Sequence, residues 1–139
     1  MTATTPTLLY IDDDAGLARL VERGLTRAGF KVVHAEGGEQ GLARLAQGGI
    51  DAIALDQFMP GLDGLETLER ILAIPDAPPV VFVTASQDSA IAVTALKAGA
   101  ADYLVKDVQG EFIPLLQVAV NGALRQAAMQ RARDRKSVV

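Results

Sequence analysis

The chain has 139 residues, of which half are hydrophobic and 4% aromatic, with a formal net charge of −4 and no cysteine. This length suits one domain with an aliphatic core, and the missing cysteines exclude disulfide and thiolate chemistry. The acidic balance argues against nucleic acid as a direct partner. No apolar run reaches the roughly 20 residues of a membrane span, and no basic segment leads into an apolar one at the N-terminus. We therefore expect a cytoplasmic protein that does not contact a membrane.

Short apolar runs alternate with helical patterns along the whole chain. The predicted strands are 7–11, 31–35, 52–55, 80–83 and 102–105. The predicted helices are 15–28, 38–47, 65–74, 88–98 and one that starts near residue 111. Continuous apolar strands separated by helices are typical of a parallel sheet covered on both faces. We therefore predict an α/β fold of three layers, with right-handed crossovers.

Two aspartates are predicted to start helices. Asp14 follows the first strand and is interpreted as an N-cap, and Asp63, three residues before Glu66, resembles a capping box. Gly29 is placed to end the first helix, and Pro75 prevents the third from continuing. Each of these residues has a structural role that needs no functional explanation.

Four polar residues stand at the ends of four predicted strands: Asp12, Asp56, Thr84 and Lys106. In a parallel sheet these ends meet at one edge, where ligands bind. Asp13 adds a further carboxylate, and clustered carboxylates repel one another unless a cation compensates. Mg²⁺, which prefers oxygen ligands, is the cation that we expect here.

The same edge has the groups that phosphoryl transfer requires. Asp56 is predicted to act as a nucleophile that forms an acyl phosphate. Lys106 supplies a positive charge and Thr84 a hydroxyl donor to the phosphoryl group. Each residue alone has an ordinary explanation, as a cap, a strand end or a solvated charge, but together they predict one phosphoryl-handling site. His34 has no partner motif and is interpreted as a structural residue.

Five segments carry a resemblance to a known family. They are residues 11–14 (IDDD), 51–56, 59–64 (MPGLDG), 83–85 (VTA) and 97–106 (KAGAADYLVK). In these motifs the sequence resembles the receiver domains of bacterial two-component response regulators, over about residues 7–124. The resemblance implies a doubly wound, flavodoxin-like sheet of five strands in the order 2-1-3-4-5.

The resemblance also implies roles for the residues of the site. Asp56 would accept phosphate from a phosphohistidine on a partner histidine kinase or phosphotransfer protein. Mg²⁺ would be held by Asp12, Asp13 and Asp56, with the backbone carbonyl of Phe58 as a further ligand. Such a domain is a signalling switch rather than an enzyme, and only Mg²⁺-dependent self-phosphorylation and self-dephosphorylation are expected of it.

Three further roles follow from the same resemblance. Thr84 and Lys106 would bind the phosphoryl group, and Ala85 would leave room for it. Tyr103 resembles an aromatic switch that turns inward when Thr84 moves toward the phosphate. The fourth helix, the fifth strand and the fifth helix are expected to adjoin at one side of the sheet, so we predict that phosphorylation alters self-association, for example a homodimer, or partner docking there.

One position departs from the family pattern. Receivers usually follow the lysine with a proline in a cis peptide, whereas Lys106 is followed by Asp107. A cis bond to a non-proline residue costs ~2.5–4 kcal/mol, so we expect either a trans bond or a strained loop. A trans bond could swing the Lys106 ammonium away from the phosphoryl position, and the charge of Asp107 should slow the arrival of anionic phosphodonors.

The chain is divided into a receiver domain, residues 1–125, and a C-terminal extension, residues 126–139, which could lead to a downstream effector domain. Basic residues cluster near this end: Arg125, Arg131, Arg133, Arg135 and Lys136. They are interpreted as a solvated helix end, where cations favour the helix dipole. Direct binding of nucleic acid is not expected.

Two other functions are compatible with parts of the pattern. One is a receiver-like interaction scaffold that acts without phosphorylation, and only the presence of Asp107 supports it. The other is a phosphatase of the haloacid dehalogenase type, for which Asp12 and Asp14 fit the Asp-x-Asp motif but the following Ala15 and Gly16 do not.

Overall fold

A computed structural model describes residues 5–85 and 89–137 of the chain. Five strands form one sheet: β1 (Thr7–Ile11), β2 (Lys31–Ala35), β3 (Ala52–Leu55), β4 (Val80–Thr84) and β5 (Asp102–Val105). All pairs are parallel, and the order is β2-β1-β3-β4-β5. Both the α/β class and the implied strand order are confirmed.

Five helices connect and follow the strands: α1 (Ala15–Arg27), α2 (Gly38–Ala46), α3 (Gly64–Leu72), α4 (Ser89–Ala98) and α5 (Ile113–Ser137). The predicted start of α4 at Asp88 lies outside the described residues. In the described part of the chain, no helix combines the length and apolar character needed to cross a bilayer.

Helices cover both faces of the sheet, and successive side chains of a strand point to opposite faces. In β1, Leu8 and Tyr10 join a core with residues of α1 and α5, while Leu9 and Ile11 join a second core with residues of α2, α3 and α4. The central strands β1, β3 and β4 therefore need apolar residues at nearly every position, which explains their continuous hydrophobic runs.

The helix ends differ from the predicted ones by a few residues. The third helix was predicted to reach Ile74 but ends at Leu72, with Ala73 as its C-cap. Since Pro75 disfavours the helical conformation of the residue before it, Ile74 leaves the helix. The first helix ends one residue early, at Arg27, and the next glycine, Gly29, adopts a φ of +95°.

The two predicted helix starts are confirmed. The carboxylate of Asp14 accepts the backbone N–H of Leu17 at 3.0 Å. Asp63 accepts the N–H of Glu66 at 2.8 Å, and the Glu66 carboxylate accepts the N–H of Asp63 at 3.2 Å, which completes the capping box. These contacts set where α1 and α3 begin, and α3 starts next to the loop that follows Asp56.

Candidate functional site

Backbone hydrogen bonds continue the sheet just beyond the strand ends. The N–H of Asp12 donates to the last residue of β2 at 3.0 Å, and the N–H of Asp56 donates to the carbonyl of Ile11 at 3.0 Å. The N–H of Lys106 donates to the carbonyl of Thr84 at 2.9 Å. The main chains of Asp12, Asp56 and Lys106 are thus held at one edge of the sheet, as the strand-end argument predicted.

The Lys106 ammonium joins two buried carboxylates. Its Nζ lies 2.7 Å from Oδ2 of Asp12 and 3.1 Å from Oδ2 of Asp56. The Asp12 side chain is fully buried, that of Asp56 is 5% exposed and that of Lys106 is 11% exposed. One cation therefore serves two anions in a region with little water, where charges interact strongly.

Burial and the close contact between the charges shift the pKa values of Asp56 and Lys106. It raises the pKa of Asp56 to about 6, because the effect of burial and of the Asp12 charge outweighs the opposing effect of Lys106. Burial alone would lower the pKa of Lys106, but its hydrogen bond to Asp12 and the charges of both carboxylates raise it above the ordinary value. The lysine therefore stays protonated. The buried negative charge of Asp56 is stabilised when the carboxylate binds a proton or a metal ion.

The third carboxylate lies at the exposed side of this cluster. Asp13 is exposed, and one oxygen each of Asp12, Asp13 and Asp56 lies within 4.8 Å of the other two. Three carboxylates outnumber the single ammonium, and all their donor atoms are oxygens. The set therefore fits a hard divalent cation with water in its remaining positions, such as Mg²⁺.

The loop after Asp56 is fixed from both sides. Oδ1 of Asp56 accepts the N–H of Gln57 at 2.9 Å, and the Gln57 side-chain oxygen accepts the N–H of Leu65, in the first turn of α3, at 2.8 Å. Gly64 packs so closely that a Cβ there would collide with the Asp56 carbonyl. The glycine is needed for this approach, which holds the Asp56 backbone against the start of α3.

The remaining predicted residues lie on β4, on β5 and in the loops that follow β3 and β4. Thr84 is fully buried at the end of β4, the strand next to β3. Tyr103 is half-buried, and its ring stacks on that of Phe82 with centroids 6.2 Å apart. The Phe58 side chain is exposed, as is Ala85. The structure therefore brings Asp12, Asp13, Asp56 and Lys106 together directly. The roles expected of Phe58, Thr84, Ala85 and Tyr103 stay predictions.

The peptide bond after Lys106 is trans, since the described part of the chain has no cis peptide. Lys106 nevertheless reaches both buried carboxylates. The trans bond therefore does not keep the ammonium from the Asp56 carboxylate, and the placement of the ammonium relative to a phosphoryl group stays a prediction. The length and flexibility of the lysine side chain let its ammonium reach both carboxylates from a trans backbone.

Asp107 has a structural task in the loop between β5 and α5. Its carboxylate accepts the backbone N–H groups of Gln109 at 3.2 Å, Glu111 at 3.0 Å and Phe112 at 2.9 Å. These hydrogen bonds lower the pKa of Asp107 below its ordinary value, and the bond from the Glu111 N–H has the largest effect. They also explain why α5 starts at Ile113 and not near Glu111 as predicted: the preceding residues fold around the carboxylate.

Replacing Asp107 with alanine is expected to lower the thermal unfolding midpoint at pH 7, because three backbone donors lose their acceptor. Asp107→Asn keeps one side-chain carbonyl oxygen and should lose less. Thermal denaturation followed by circular dichroism ranks the three proteins. An alanine variant as stable as the wild type would refute the structural task of Asp107.

Two further residues contact Asp12 that the sequence did not single out for the site. The Tyr10 hydroxyl donates to Oδ2 of Asp12 at 2.8 Å, and Nε2 of His34 lies 2.7 Å from the Asp12 carbonyl oxygen. Burial and the neighbouring Asp12 raise the pKa of Tyr10 above its ordinary value, so the phenol is neutral. The contact between Tyr10 and Asp12 could have been inferred from their spacing, since residues two apart in extended chain lie on the same face.

The sequence matches the family model for the response regulator receiver domain over residues 8–115. The chain belongs to this family. Receiver domains take part in two-component signalling and are not classical enzymes. The family match therefore does not support the alternative of a phosphatase of the haloacid dehalogenase type.

Curated relatives of this receiver are regulators of greater length. The transcriptional regulatory protein AfsQ1 of Streptomyces coelicolor is 40% identical over 121 residues, which cover 87% of this chain and 52% of that protein. The transcriptional regulatory protein PrrA of Mycobacterium tuberculosis is 39% identical over 103 residues, which cover 74% of this chain and 44% of that protein. The chain spans about half the length of these relatives.

Solved receiver structures share the fold over most of this chain. A response regulator receiver domain protein from Clostridium thermocellum has a TM-score of 0.82 at 28% identity, covering 90% of this chain and 98% of that one. The response regulator TrrA of Thermotoga maritima, crystallised in complex with Mg²⁺ and BeF, has a TM-score of 0.75 at 27% identity. The matched region covers 85% of this chain and 98% of the TrrA chain.

Proposed function

We propose that the receiver is a phosphorylation-dependent switch in which Asp56 accepts a phosphoryl group from a phosphohistidine of a partner histidine kinase or phosphotransfer protein. The observation that carries this proposal is the buried contact between the Lys106 ammonium and the carboxylates of Asp12 and Asp56. A carboxylate oxygen of Asp56 attacks phosphorus, the bond from phosphorus to the histidine nitrogen breaks, and an acyl phosphate forms. The released imidazole retains its electron pair.

The same site is proposed to hold Mg²⁺ through Asp12, Asp13 and Asp56, with the backbone carbonyl of Phe58 as a further ligand. The all-oxygen cluster and its excess of negative charge support this assignment, and a similar receiver, TrrA, was crystallised with Mg²⁺ and BeF. Mg²⁺ held there would neutralise charge on the carboxylates and on the phosphoryl oxygens.

Lys106 and Thr84 are proposed to bind the phosphoryl group once it is attached. Lys106 already lies 3.1 Å from the accepting carboxylate, so its ammonium needs only a small movement to contact phosphoryl oxygens. The Thr84 hydroxyl stands at the end of the adjacent strand and is a suitable donor. Tyr103 on β5 is proposed to turn inward in response to the movement of Thr84, as the aromatic switch of the domain.

The surface formed by α4, β5 and α5 is proposed to transmit the signal, through a homodimer or an effector. Apolar side chains are exposed on all three elements, among them Leu96, Val105, Leu115 and Val118. Residues 1–125 are proposed as the receiver proper and 126–139 as a link to an effector domain. The greater length of the curated relatives supports such a link, and α5 extends through most of it as a helix.

The phosphoacceptor assignment is tested with a small phosphodonor and the beryllofluoride mimic. We expect the phosphodonor to add one phosphoryl mass to the wild type in the presence of Mg²⁺, and neither a chelator-treated sample nor Asp56→Asn to gain it. Intact-protein mass spectrometry measures the adduct, and a Mg²⁺-dependent thermal shift reports the non-covalent mimic. If the wild type takes up no phosphoryl group, the interaction scaffold that acts without phosphorylation replaces the switch.

A further inference from the structure

The carboxylate of Asp12 is held by three hydrogen-bond donors. Oδ1 accepts the backbone N–H of Asp14 at 3.0 Å. Oδ2 accepts both the Lys106 ammonium at 2.7 Å and the Tyr10 hydroxyl at 2.8 Å. The side chain is fully buried, and its orientation is set by the three donors together.

The two side-chain donors on Oδ2 differ in mobility. Tyr10 lies on the central strand β1, is 1% exposed, and packs its ring in the core shared with α1 and α5. Lys106 has a flexible side chain and divides its ammonium between Asp12 and Asp56. When Lys106 turns toward a phosphoryl group on Asp56, as proposed above, Tyr10 is the side-chain donor that stays on Oδ2 of Asp12.

We propose that Tyr10 is a positioning residue of the metal site. Its hydroxyl holds the Asp12 carboxylate in the orientation in which Mg²⁺ binds, and it does so independently of Lys106. This inference rests on the proposed function in two respects: Asp12, Asp13 and Asp56 are the residues proposed there to hold Mg²⁺, and the movement of Lys106 toward the phosphoryl group is proposed there too.

The physical reason lies in what a metal ligand needs. A carboxylate that turns freely loses orientational entropy when it binds a cation, and hydrogen bonds to its oxygens remove that freedom beforehand. Tyr10 provides such a bond from a rigid aromatic ring, with no charge that would repel the cation. The simpler explanation is that Tyr10 is a core residue whose hydroxyl only finds an acceptor. In that case its loss would affect folding stability but not the affinity for Mg²⁺.

Mg²⁺ affinity in Tyr10→Phe distinguishes the two explanations. The substitution keeps the ring and removes the hydroxyl. By calorimetric titration with MgCl₂ in phosphate-free buffer, we expect the dissociation constant to rise about tenfold. Val81→Ala is the matched control, since it truncates a fully buried side chain of the same core without a hydrogen bond to Asp12. We expect it to lower stability and leave the dissociation constant unchanged.

A double-variant cycle shows whether Tyr10 acts through Asp12. In an Asp12→Asn background, the further change Tyr10→Phe should alter the dissociation constant by less than twofold. An equal constant in the wild type and Tyr10→Phe overturns the positioning role while leaving the proposed metal site intact. A tenfold effect that persists in the Asp12→Asn background overturns the route through Asp12. A wild type that does not bind Mg²⁺ overturns both the role of Tyr10 and the proposed metal site.

Discussion

Replacing Lys106 with methionine is expected to lower the free energy of unfolding by about 3 kcal/mol in metal-free buffer at pH 7. The Lys106 ammonium is the cation that contacts the buried carboxylates of Asp12 and Asp56. Methionine fills similar volume, so the loss arises mainly from two anions left in a poorly solvated site. Breaking a buried pair by removing one partner costs more than the intact pair contributes, because the remaining charge has no compensation.

Chemical denaturation of Lys106→Met, with and without Mg²⁺, measures this loss. Lys97→Met is the matched control, since Lys97 is exposed on α4, and its effect should be within about 0.5 kcal/mol of zero. Mg²⁺ should restore part of the stability of Lys106→Met, and adding Asp56→Asn should do the same by removing one anion. Equal stability of the two methionine variants would contradict the picture of a buried cluster that depends on Lys106.

Asp56→Asn is expected to stabilise the metal-free protein at neutral pH and to change how stability depends on pH. Burial raises the pKa of Asp56 from its ordinary value of 3.8 to about 6 in the folded protein. The folded state therefore holds a proton more tightly than the unfolded chain. This group stabilises the fold below about pH 4 relative to neutral pH, and that contribution is lost as the pH rises to about 6.

The difference in unfolding free energy between Asp56→Asn and wild type isolates this group, since asparagine does not titrate. We expect the difference to grow by roughly 2–3 kcal/mol in favour of the variant between pH 4 and pH 7. Urea titrations at several pH values in the presence of a chelator measure it. A difference that stays constant with pH would show that Asp56 ionises in the folded protein as it does in the unfolded chain.

The sheet and the core of the site could be predicted from the sequence because both follow from strong, local signals. An apolar run such as residues 52–55 has no amphipathic period, which indicates a strand buried on both faces, and the polar residue after it marks the strand end. Once the strands are parallel, the meeting of Asp12, Asp56 and Lys106 is a consequence of topology. No contact between them had to be known in advance.

The details that could not be predicted depend on exact positions of side chains. The Tyr10 hydroxyl contacts Asp12 because the packing of the ring in the core fixes the position of the hydroxyl. The hydrophobic pattern of the sequence indicates only that Tyr10 is buried. Asp107 was interpreted from its charge and from the proline it replaces. Its main contacts are three backbone N–H groups of its own loop, and these form only when the chain closes around the carboxylate.

The end of α3 illustrates a different limit. The apolar spacing continues to Ile74, so periodicity alone extends the helix, whereas the constraint that Pro75 places on its neighbour ends it earlier. Periodicity reports which face would be buried, and backbone sterics report whether a helix can continue. The boundary is correct only when both are weighed.

The most direct test of the phosphoacceptor assignment is to locate the phosphoryl group chemically. The protein is treated with a small phosphodonor and Mg²⁺, reduced with borohydride, which converts an aspartyl phosphate to homoserine, and digested for tandem mass spectrometry. We predict homoserine at position 56, with Asp12 and Asp13 unmodified, and no homoserine in a sample prepared without Mg²⁺. Homoserine at position 12 or 13 in place of position 56 would contradict the assignment of Asp56 as the acceptor.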